Sequence, residues 1–319
     1  MTTTSLRVCL VGCLIGIASS LAAAAPSIKT TEGKESLDVT IDGKPFTTYR
    51  FVQMADDPEF RRPYFFPVLS ADGVPITADR DRESMGQAKR EHPWHRSVWI
   101  GHGDVNGIDH WSHRTEGERK LQRHLKFTKI DSDGFVEELA WDGNEPGKPV
   151  LTETRTVKFI AYDDGARAID VTSLFTAASG DAVFKVKPLN VSGVEAGWLS
   201  ARVSSEMAAS KESQITSSAG VSGEKDCRSM PANWCDYSGP IGSKTFGVAE
   251  FDDPNNPGHP APWHVRAFGL LTHLGVHDWT LKAGQSQAFH HRLLFHNGDA
   301  KSAKLDERYN EFTAAGRGQ

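Results

Sequence analysis

The densest group of chemically active side chains lies between Glu91 and His113. Five of the 13 histidines fall in this stretch, together with two aspartates, three tryptophans and three glycines. Histidine titrates near neutral pH, so imidazoles beside carboxylates are typical of general acid–base catalysis. Indole rings add flat apolar surfaces on which sugar rings can stack. We predict four catalytic residues, His92, His95, His102 and Asp104, and four substrate-binding residues, Arg96, Asn106, Asp109 and Trp111.

The spacing of His102 and Asp104 predicts that they act as a pair. If residues 97–104 are extended, Val98, Ile100, His102 and Asp104 share one face of a strand. The apolar pair would anchor the strand, and the imidazole and carboxylate would project together beyond it. The alternative is that the glycines form a turn and the polar groups satisfy buried backbone.

Metal binding is a competing use of the same residues. His92, His95, His102 and Asp104 are ligand types for zinc or a divalent iron-type site. Their spacing does not match H-E-x-x-H or the His-x-His plus Glu pattern of metal cupins. The sequence therefore predicts no cofactor, with a divalent metal as the alternative.

A second block of unusual residues lies far along the chain, in a polar-aromatic stretch (233–239) and a proline-rich stretch (252–266). We expect both to form loops that complete the same cleft, although a structural edge loop is the alternative. Arg266 could pair with the carboxylate of a uronic acid. His290 and His291 should point to opposite faces of a strand, so at least one of them is expected to be structural. The substrate-binding residues predicted from this block are Asp236, Tyr237, His264 and Arg266.

The elements that must position these residues read as strands joined by turns. Asp42-Gly43 predicts a tight hairpin turn between two strands. Alternating apolar and polar residues after the turns at Gly134, Gly165 and Gly180 predict a meander with one buried face. Residues 279–282 and 287–295 are expected to form another hairpin.

These elements predict an all-β fold, a single large antiparallel sandwich. Helix is scarce, and the best candidate runs from about 300 to 314 with Asp299 as its N-cap. The sandwich is expected to occupy residues 26–319 as one domain. Cys227 and Cys235 are eight positions apart, which suggests a local disulfide in an oxidising compartment, with two free thiols as the alternative.

The N-terminus has the parts of an export signal. Arg7 precedes an apolar run, and small residues up to Ala25 offer A-x-A cleavage sites. The cysteine at 13 resembles a lipoprotein site, but most of the apolar run follows it. We therefore predict a cleaved signal peptide over residues 1–25, a periplasmic or secreted protein, and no membrane segment after cleavage.

The charge balance limits the partners. The chain has 36 basic and 41 acidic residues and a formal charge of −5, with no basic run. Nucleic acid and anionic membranes are poor candidates for such a chain. The sequence does not constrain the oligomeric state.

Several motifs resemble a bacterial family of unknown function that has been labelled methane-oxygenase-like. They are Arg62-Pro-Tyr-Phe-Phe-Pro-Val, His92-Pro-Trp-His-Arg-Ser-Val-Trp, Gly101-His-Gly-Asp-Val-Asn-Gly, Trp234-Cys-Asp-Tyr-Ser-Gly, and Asp253-Pro through Trp263-His-Val-Arg. The resemblance implies a sandwich similar to galactose-mutarotase-like domains and a setting among carbohydrate-degrading genes. Two positions depart from the family pattern, Trp94 and Ala78. The label evokes a multi-helix membrane oxygenase, which the strand-rich sequence does not support.

Two functions remain open from the sequence. One is a carbohydrate-active enzyme, a hydrolase, lyase or epimerase, that uses His and Asp as acid–base groups. The other is a non-catalytic carbohydrate-binding or accessory protein. A binding module needs aromatic platforms but has little need of clustered imidazoles, and we therefore favour the enzyme.

Overall fold

Two antiparallel sheets of eight strands each pack face to face. The computed structural model describes residues 1, 25–57, 60–79, 92, 94–112, 121–186, 197–275 and 277–315. The first sheet has the order β1 (Ile28–Glu32), β2 (Ser36–Ile41), β3 (Lys44–Arg50), β4 (Tyr64–Val68), β5 (Val98–Ile100), β11 (Leu199–Arg202), β16 (Leu270–His273) and β15 (Trp263–Arg266).

The second sheet begins with four strands from the C-terminal half and ends on a four-strand meander. Its order is β12 (Gln214–Ser217), β13 (Trp234–Ile241), β14 (Lys244–Asp252), β18 (Ser286–Asn297), β9 (Arg167–Ala177), β8 (Pro149–Ala161), β7 (Gly134–Asp142) and β6 (Gln122–Asp131). A two-stranded ribbon and three short helices complete the described elements: β10 (Ala182–Phe184), β17 (Trp279–Leu281), α1 (Ser205–Ala209), α2 (Glu224–Cys227) and α3 (Leu305–Ala315). The predicted all-β sandwich is confirmed.

Strand alternation builds the core between the sheets. In β9, Ile169, Val171 and Phe175 are buried in the main core, whereas Asp170 points to the opposite face. Side chains on a strand alternate between faces, so each strand gives one row to the core and one to the outside. The alternation that predicted the meander is therefore the pattern that closes the sandwich.

The hairpin predicted at Asp42-Gly43 is confirmed. Asp42 and Gly43 have φ angles of 51° and 73°, and β2 pairs antiparallel with β3 on either side of them. Positive φ at both central residues gives the turn the twist that hairpin strands need, and Gly and Asp tolerate it best.

The predicted hairpin between residues 279–282 and 287–295 is wrong. β17 pairs with β10 instead, with Trp279 opposite Phe184. Both edges of β18 are already used, because β9 pairs with it on one side and β14 on the other. The Gly284 turn therefore joins strands that belong to different sheets.

The C-terminal helix is present but starts later than predicted. Asp299 Oδ1 accepts the Ser302 amide at 2.8 Å, which stabilises a turn over residues 299–304 ahead of α3. The helix packs on the outer face of the second sheet through Leu305 and Phe312, which join Leu294 in a separate apolar cluster.

Two further predictions concern the cysteines and the N-terminus. Cys227 and Cys235 are both free and buried, so the predicted disulfide is absent. Residues 2–24, which hold most of the predicted signal peptide, lie outside the described residues. Among the described helices, none has the length and hydropathy needed to cross a membrane.

Candidate functional site

Four adjacent strands of the first sheet carry unusual residues on their outer face. Val98 and Ile100 belong to the core, so Trp99 between them faces outward. Trp263 and Val265 also belong to the core, so His264 between them faces outward as well. β5, β11, β16 and β15 are neighbours, which brings sequence-distant residues onto one surface. We call the following residues the outer-face cluster: His92, His95, His264, Arg202, Arg266, Trp94, Trp99, Trp111 and Phe268.

The outer-face cluster is organised around the ring of His95. It stacks on His92 with ring centroids 4.8 Å apart and planes 8° apart, and on Trp99 at 5.5 Å. Phe268 lies 4.7 Å from His92 and 6.0 Å from His95. His92 is partly exposed, whereas His95 is buried beneath it. The arrangement places a buried imidazole under one that reaches the surface.

His95 is held neutral by its surroundings. Burial is the largest cause that lowers its pKa well below the usual value, and the nearby His92 and Arg202 add to this effect. Its Nδ1 atom is buried and has no hydrogen-bond partner in the part of the chain that the structure describes. A neutral imidazole with an uncommitted ring nitrogen can accept or pass a proton.

Two arginines lie at the rim of the outer-face cluster. The guanidinium groups of Arg202 and Arg266 lie 4.8 and 5.1 Å from the centroid of the Phe268 ring. Arg266 also pairs with Glu224 at 2.9 Å. The rim therefore combines two guanidinium groups with an aromatic ring, and one of these guanidinium groups is paired with a carboxylate.

Arg96 lies near this face but is committed to carboxylates. It bonds to Asp57 at 2.6 Å and Asp79 at 2.5 Å, and its guanidinium lies 3.9 Å from the centre of the Tyr64 ring. The side chain is almost fully buried. In this arrangement Arg96 fixes the loops around the sheet, which differs from the predicted contact with a substrate.

His102 and Asp104 do not form the predicted imidazole–carboxylate pair. The strand ends at Ile100, and the chain then turns. His102 Nδ1 accepts the backbone N–H of Asp104 at 3.1 Å, while the Asp104 carboxylate accepts the amide of Gly107 at 2.8 Å. Burial lowers the pKa of His102 to about 3.

Asn106 and Asp109 serve the same turn. Asn106 has a φ of 54° and accepts the Val183 amide at 2.7 Å, which ties the turn to β10. Asp109 accepts the amides of Trp111 and Ser112, each at 2.8 Å. Both residues were predicted to bind substrate, and both have backbone partners here. This segment therefore fits the alternative prediction, in which the polar side chains bond to the backbone of a turn.

The second predicted block divides among three surfaces. His264 and Arg266 join the outer-face cluster, while Tyr237 faces the core and donates to the Ala267 carbonyl at 2.5 Å. Asp236 lies on the second sheet, fully buried, with its carboxylate 2.9 Å from His296 Nε2. The predicted single cleft is therefore incomplete: it gathers His92, His95, Trp111, His264 and Arg266 but not Asp236 or His102.

A group of ionisable residues between the sheets was missed by the sequence reasoning. Asp252, His273 and His291 are buried, with ligand-type atoms all within 4.8 Å of one another. We call these three the inter-sheet cluster. The sequence does contain a sign of this cluster. His291 lies between Phe289 and Leu293 in the alternating pattern of β18, so an imidazole occupies a core position.

A cavity of about 120 Å³ opens beside the inter-sheet cluster. It is lined by aromatic rings and by further imidazoles, so its wall carries both polar and apolar groups. Its lining includes His102, Trp198, His277, Trp279 and Phe289 together with the cluster itself. His102, predicted as catalytic, thus belongs to this cavity and not to the outer face that carries His95.

A polar cleft lies on the outer face of the second sheet. His290 lies 2.9 Å from Asp253 and 3.9 Å from Asp170, and Arg292 bonds to Asp170 at 2.5 Å. Burial alone would lower the pKa of His290, but the two carboxylates outweigh it and raise the pKa. His290 therefore belongs to a charged network with Asp253, Asp170 and Arg292.

Comparison with known proteins gives a family but no activity. No curated protein matches the chain. A solved structure with a similar arrangement is the 4-alpha-glucanotransferase from Thermococcus litoralis, with 12% identity and a TM-score of 0.36 over 86% of this chain. The matched region spans 40% of that structure's chain. Residues 36–310 match the model of a family of unknown function, DUF6807, and the chain belongs to this family.

Proposed function

We propose that the protein is a carbohydrate-active enzyme and that the outer-face cluster is its active site. The observation that carries this proposal is the buried, neutral His95, stacked beneath the partly exposed His92, with an Nδ1 atom that has no hydrogen-bond partner among the described residues. A site that only binds sugar has no need of a second imidazole below the first. A site that moves protons near neutral pH does need it.

The imidazoles supply the acid–base groups. His92 reaches the surface and can exchange a proton with a substrate, while His95 and His264 lie behind it. The charge of His92 and His264 acts on His95 through space, so the three imidazoles interact electrically. This arrangement suits three reactions. A lyase removes a proton from carbon and protonates the leaving oxygen, and a hydrolase protonates the leaving oxygen and deprotonates water. An epimerase removes a proton from one carbon and returns a proton to the opposite face of the same carbon.

The surrounding groups suit a sugar that carries a carboxylate. Trp94 is a partly buried ring at the edge of the cluster and offers a face for stacking. Arg202 and Arg266 lie beside Phe268. Guanidinium groups bind carboxylates with two parallel hydrogen bonds, so we place uronides first among the substrates.

The competing function is a non-catalytic carbohydrate-binding or accessory protein. It would use the same aromatic rings and arginines. We also retain, as a proposal, that the protein is exported and meets its carbohydrate in the periplasm or outside the cell. The methane-oxygenase label finds no part in either function.

The test is turnover of a substrate panel by matched variants. The purified protein is incubated with oligosaccharides, keto-glycosides and uronides. We expect product with at least one class, and we expect His92→Gln and His95→Gln to lower kcat by about a hundredfold or more, the usual range for a lost acid–base group. His290→Gln is the control, because this residue lies on the other sheet.

Three outcomes separate the alternatives. Loss of kcat in the two variants with sugar affinity retained supports the enzyme. Sugar binding without turnover across the panel supports the binding protein instead. Turnover that is unchanged in both variants would remove the outer-face cluster as the site.

A further inference from the structure

We propose that the inter-sheet cluster binds one divalent transition-metal ion. Asp252 Oδ1 lies 3.5 Å from His291 Nε2 and 3.9 Å from His273 Nε2. Two imidazole nitrogens and one carboxylate oxygen converge on one point between β14, β16 and β18. This site is separate from the outer-face cluster, so it stands or falls independently of the proposed function.

His273 carries the strongest sign of a missing partner. Its side chain is 1% exposed, yet neither of its ring nitrogens makes a hydrogen bond to any residue that the structure describes. Nε2 points toward Asp252 at 3.9 Å, which is too far for a hydrogen bond. A buried nitrogen without a partner is unfavourable, because it has lost its hydrogen bonds to water and gained none in return. A cation held between Nε2 and the carboxylate would remove that cost.

The neighbouring amide does not satisfy His291. Asn256 Nδ2 has two protons, and acceptors lie 2.7 Å away at Asp252 Oδ1 and at the His290 carbonyl. Its orientation is fixed, because Asn256 Oδ1 accepts the His290 amide at 2.7 Å. His291 Nε2 lies farther from the same nitrogen, at 3.2 Å. The amide therefore has no third proton to give, and His291 Nε2 is available as a metal ligand in the tautomer that leaves this atom unprotonated.

Outer groups hold the proposed ligands as they do in known metal sites. A carboxylate oxygen of Glu250 lies 3.0 Å from Nδ1 of His273, without hydrogen-bond alignment, and His259 Nδ1 lies 2.7 Å from the second oxygen of Asp252. Metal-bound histidines nearly always engage a carboxylate or carbonyl through their other nitrogen.

The donor set selects the class of ion. Imidazole nitrogen favours zinc and its first-row neighbours, whereas calcium and magnesium prefer sites made of oxygen. Ligand atoms around a tetrahedral zinc lie about 3.3 Å apart, as follows from bonds of about 2.0–2.1 Å. The cluster atoms must therefore approach one another by up to about 1.5 Å from their 4.8 Å limit.

The cavity beside the cluster gives the ion an open position. With three protein ligands, a fourth position remains for water, as in catalytic zinc sites and unlike closed structural ones. The cavity of about 120 Å³ has room for that water and places His102 and His277 along its wall. The site is thus accessible to small molecules from the cavity side.

The experiment measures metal binding directly. The purified protein is stripped with chelator, dialysed and titrated with Zn²⁺ and with Co²⁺, using calorimetry and the visible absorption of Co²⁺. We expect one ion per chain, a Co²⁺ spectrum typical of nitrogen and oxygen ligands, and a melting temperature that rises with metal concentration. Ca²⁺ and Mg²⁺ should give none of these changes.

Matched variants assign the ion to the cluster. We expect Asp252→Asn, His273→Gln and His291→Gln each to weaken affinity by about a hundredfold or more, since ligand loss should exceed the 10–100-fold typical of outer groups. His290→Gln, the next residue on β18 but on the opposite face, should change affinity by less than about twofold.

Clear outcomes would overturn the proposal. Wild-type protein that is folded by circular dichroism and binds neither ion at millimolar concentration would exclude the site. Binding that persists in all three variants would place the ion elsewhere, and so would a loss of binding in His290→Gln equal to that in the ligand variants. If His273→Gln does not fold, the shape-preserving Asp252→Asn and the wild-type Co²⁺ spectrum decide the question.

Discussion

The individual predicted site residues divide by how their polar groups are used. His95 has an uncommitted nitrogen, whereas Arg96, Asn106 and Asp109 are engaged with carboxylates or backbone groups. Buried polar groups are normally paired by hydrogen bonds. The residue types that stabilise a tight turn in this way are the same types that occur in active sites. Residue type and spacing therefore locate unusual segments but do not decide which members are free to react.

The buried histidines predict how stability depends on pH. An unfolded histidine binds a proton below about pH 6.5, but burial lowers the pKa of folded His102 to about 3 and that of folded His273 to about 4. The unfolded state then binds more protons, so stability falls as pH falls from 6.5 toward these values. Each group contributes about 1.4 kcal/mol per pH unit at most.

The variant His102→Gln tests this account. It should reduce the loss of stability between pH 6.5 and pH 5 by up to about 2 kcal/mol. Urea unfolding at both pH values, with chelator present, measures the difference. His290→Gln is the control, because the pKa of folded His290 is raised. The stability that this group contributes is lost as pH rises above 6.5, so the substitution should leave the change in stability between pH 5 and pH 6.5 as in the wild type. Equal slopes in wild type and His102→Gln would contradict the prediction.

Individual strands and turns were largely predictable from local pattern. Asp42-Gly43 fixes its hairpin because the turn needs positive φ at adjacent residues, and alternation in β9 marks its buried face. The partner of β17 was not predictable, because strand pairing depends on which edges other strands have filled. The inter-sheet cluster was not predictable for a similar reason. His273 and His291 lie on strands of different sheets, and only the packing of the two sheets brings them together.

Helix α3 makes a prediction at the level of an element. Phe312 is 1% exposed and packs with Phe251 at 5.9 Å on the outer face of the second sheet. Phe312→Ala should destabilise the protein by about 3–5 kcal/mol, through lost burial and the cavity left behind. The control is Glu311→Ala, an exposed neighbour on the same helix, which should change stability by less than about 0.5 kcal/mol. A similar effect of the two substitutions in urea unfolding would show that the helix contributes little.

At the scale of the whole molecule, a polar network crosses the core and joins the two sheets. Tyr49 on β3 of the first sheet donates its hydroxyl to Glu137 on β7 of the second. The same hydroxyl accepts a hydrogen bond from Arg155 at 2.9 Å, and Arg155 pairs with Glu153 at 2.8 Å. All four side chains are buried. Arg155 and Glu153 compensate each other within β8, and Tyr49 links this pair to Glu137 only when the two sheets pack in this register.

This network predicts that the two sheets are coupled through the Tyr49 hydroxyl. Tyr49→Phe should cost about 1–3 kcal/mol, because it leaves one donor of Arg155 and one acceptor of Glu137 without a partner in the core. Arg155→Met should cost about 3–5 kcal/mol, because Glu153 and Glu137 lose their cation. The double variant should cost less than the sum by about 0.5–3 kcal/mol, since residues within one network are not additive. Urea unfolding of the wild type, the two single variants and the double variant gives this coupling energy.

The control is the same cycle with Tyr237→Phe in place of Tyr49→Phe. Among the hydrogen bonds described, Tyr237 bonds only to the Ala267 carbonyl, so its cycle with Arg155→Met should be additive. If the losses of unfolding free energy in the Tyr49 cycle are additive, the Tyr49 hydroxyl does not couple the sheets. Apolar packing would then hold the sheets together without a contribution from this network.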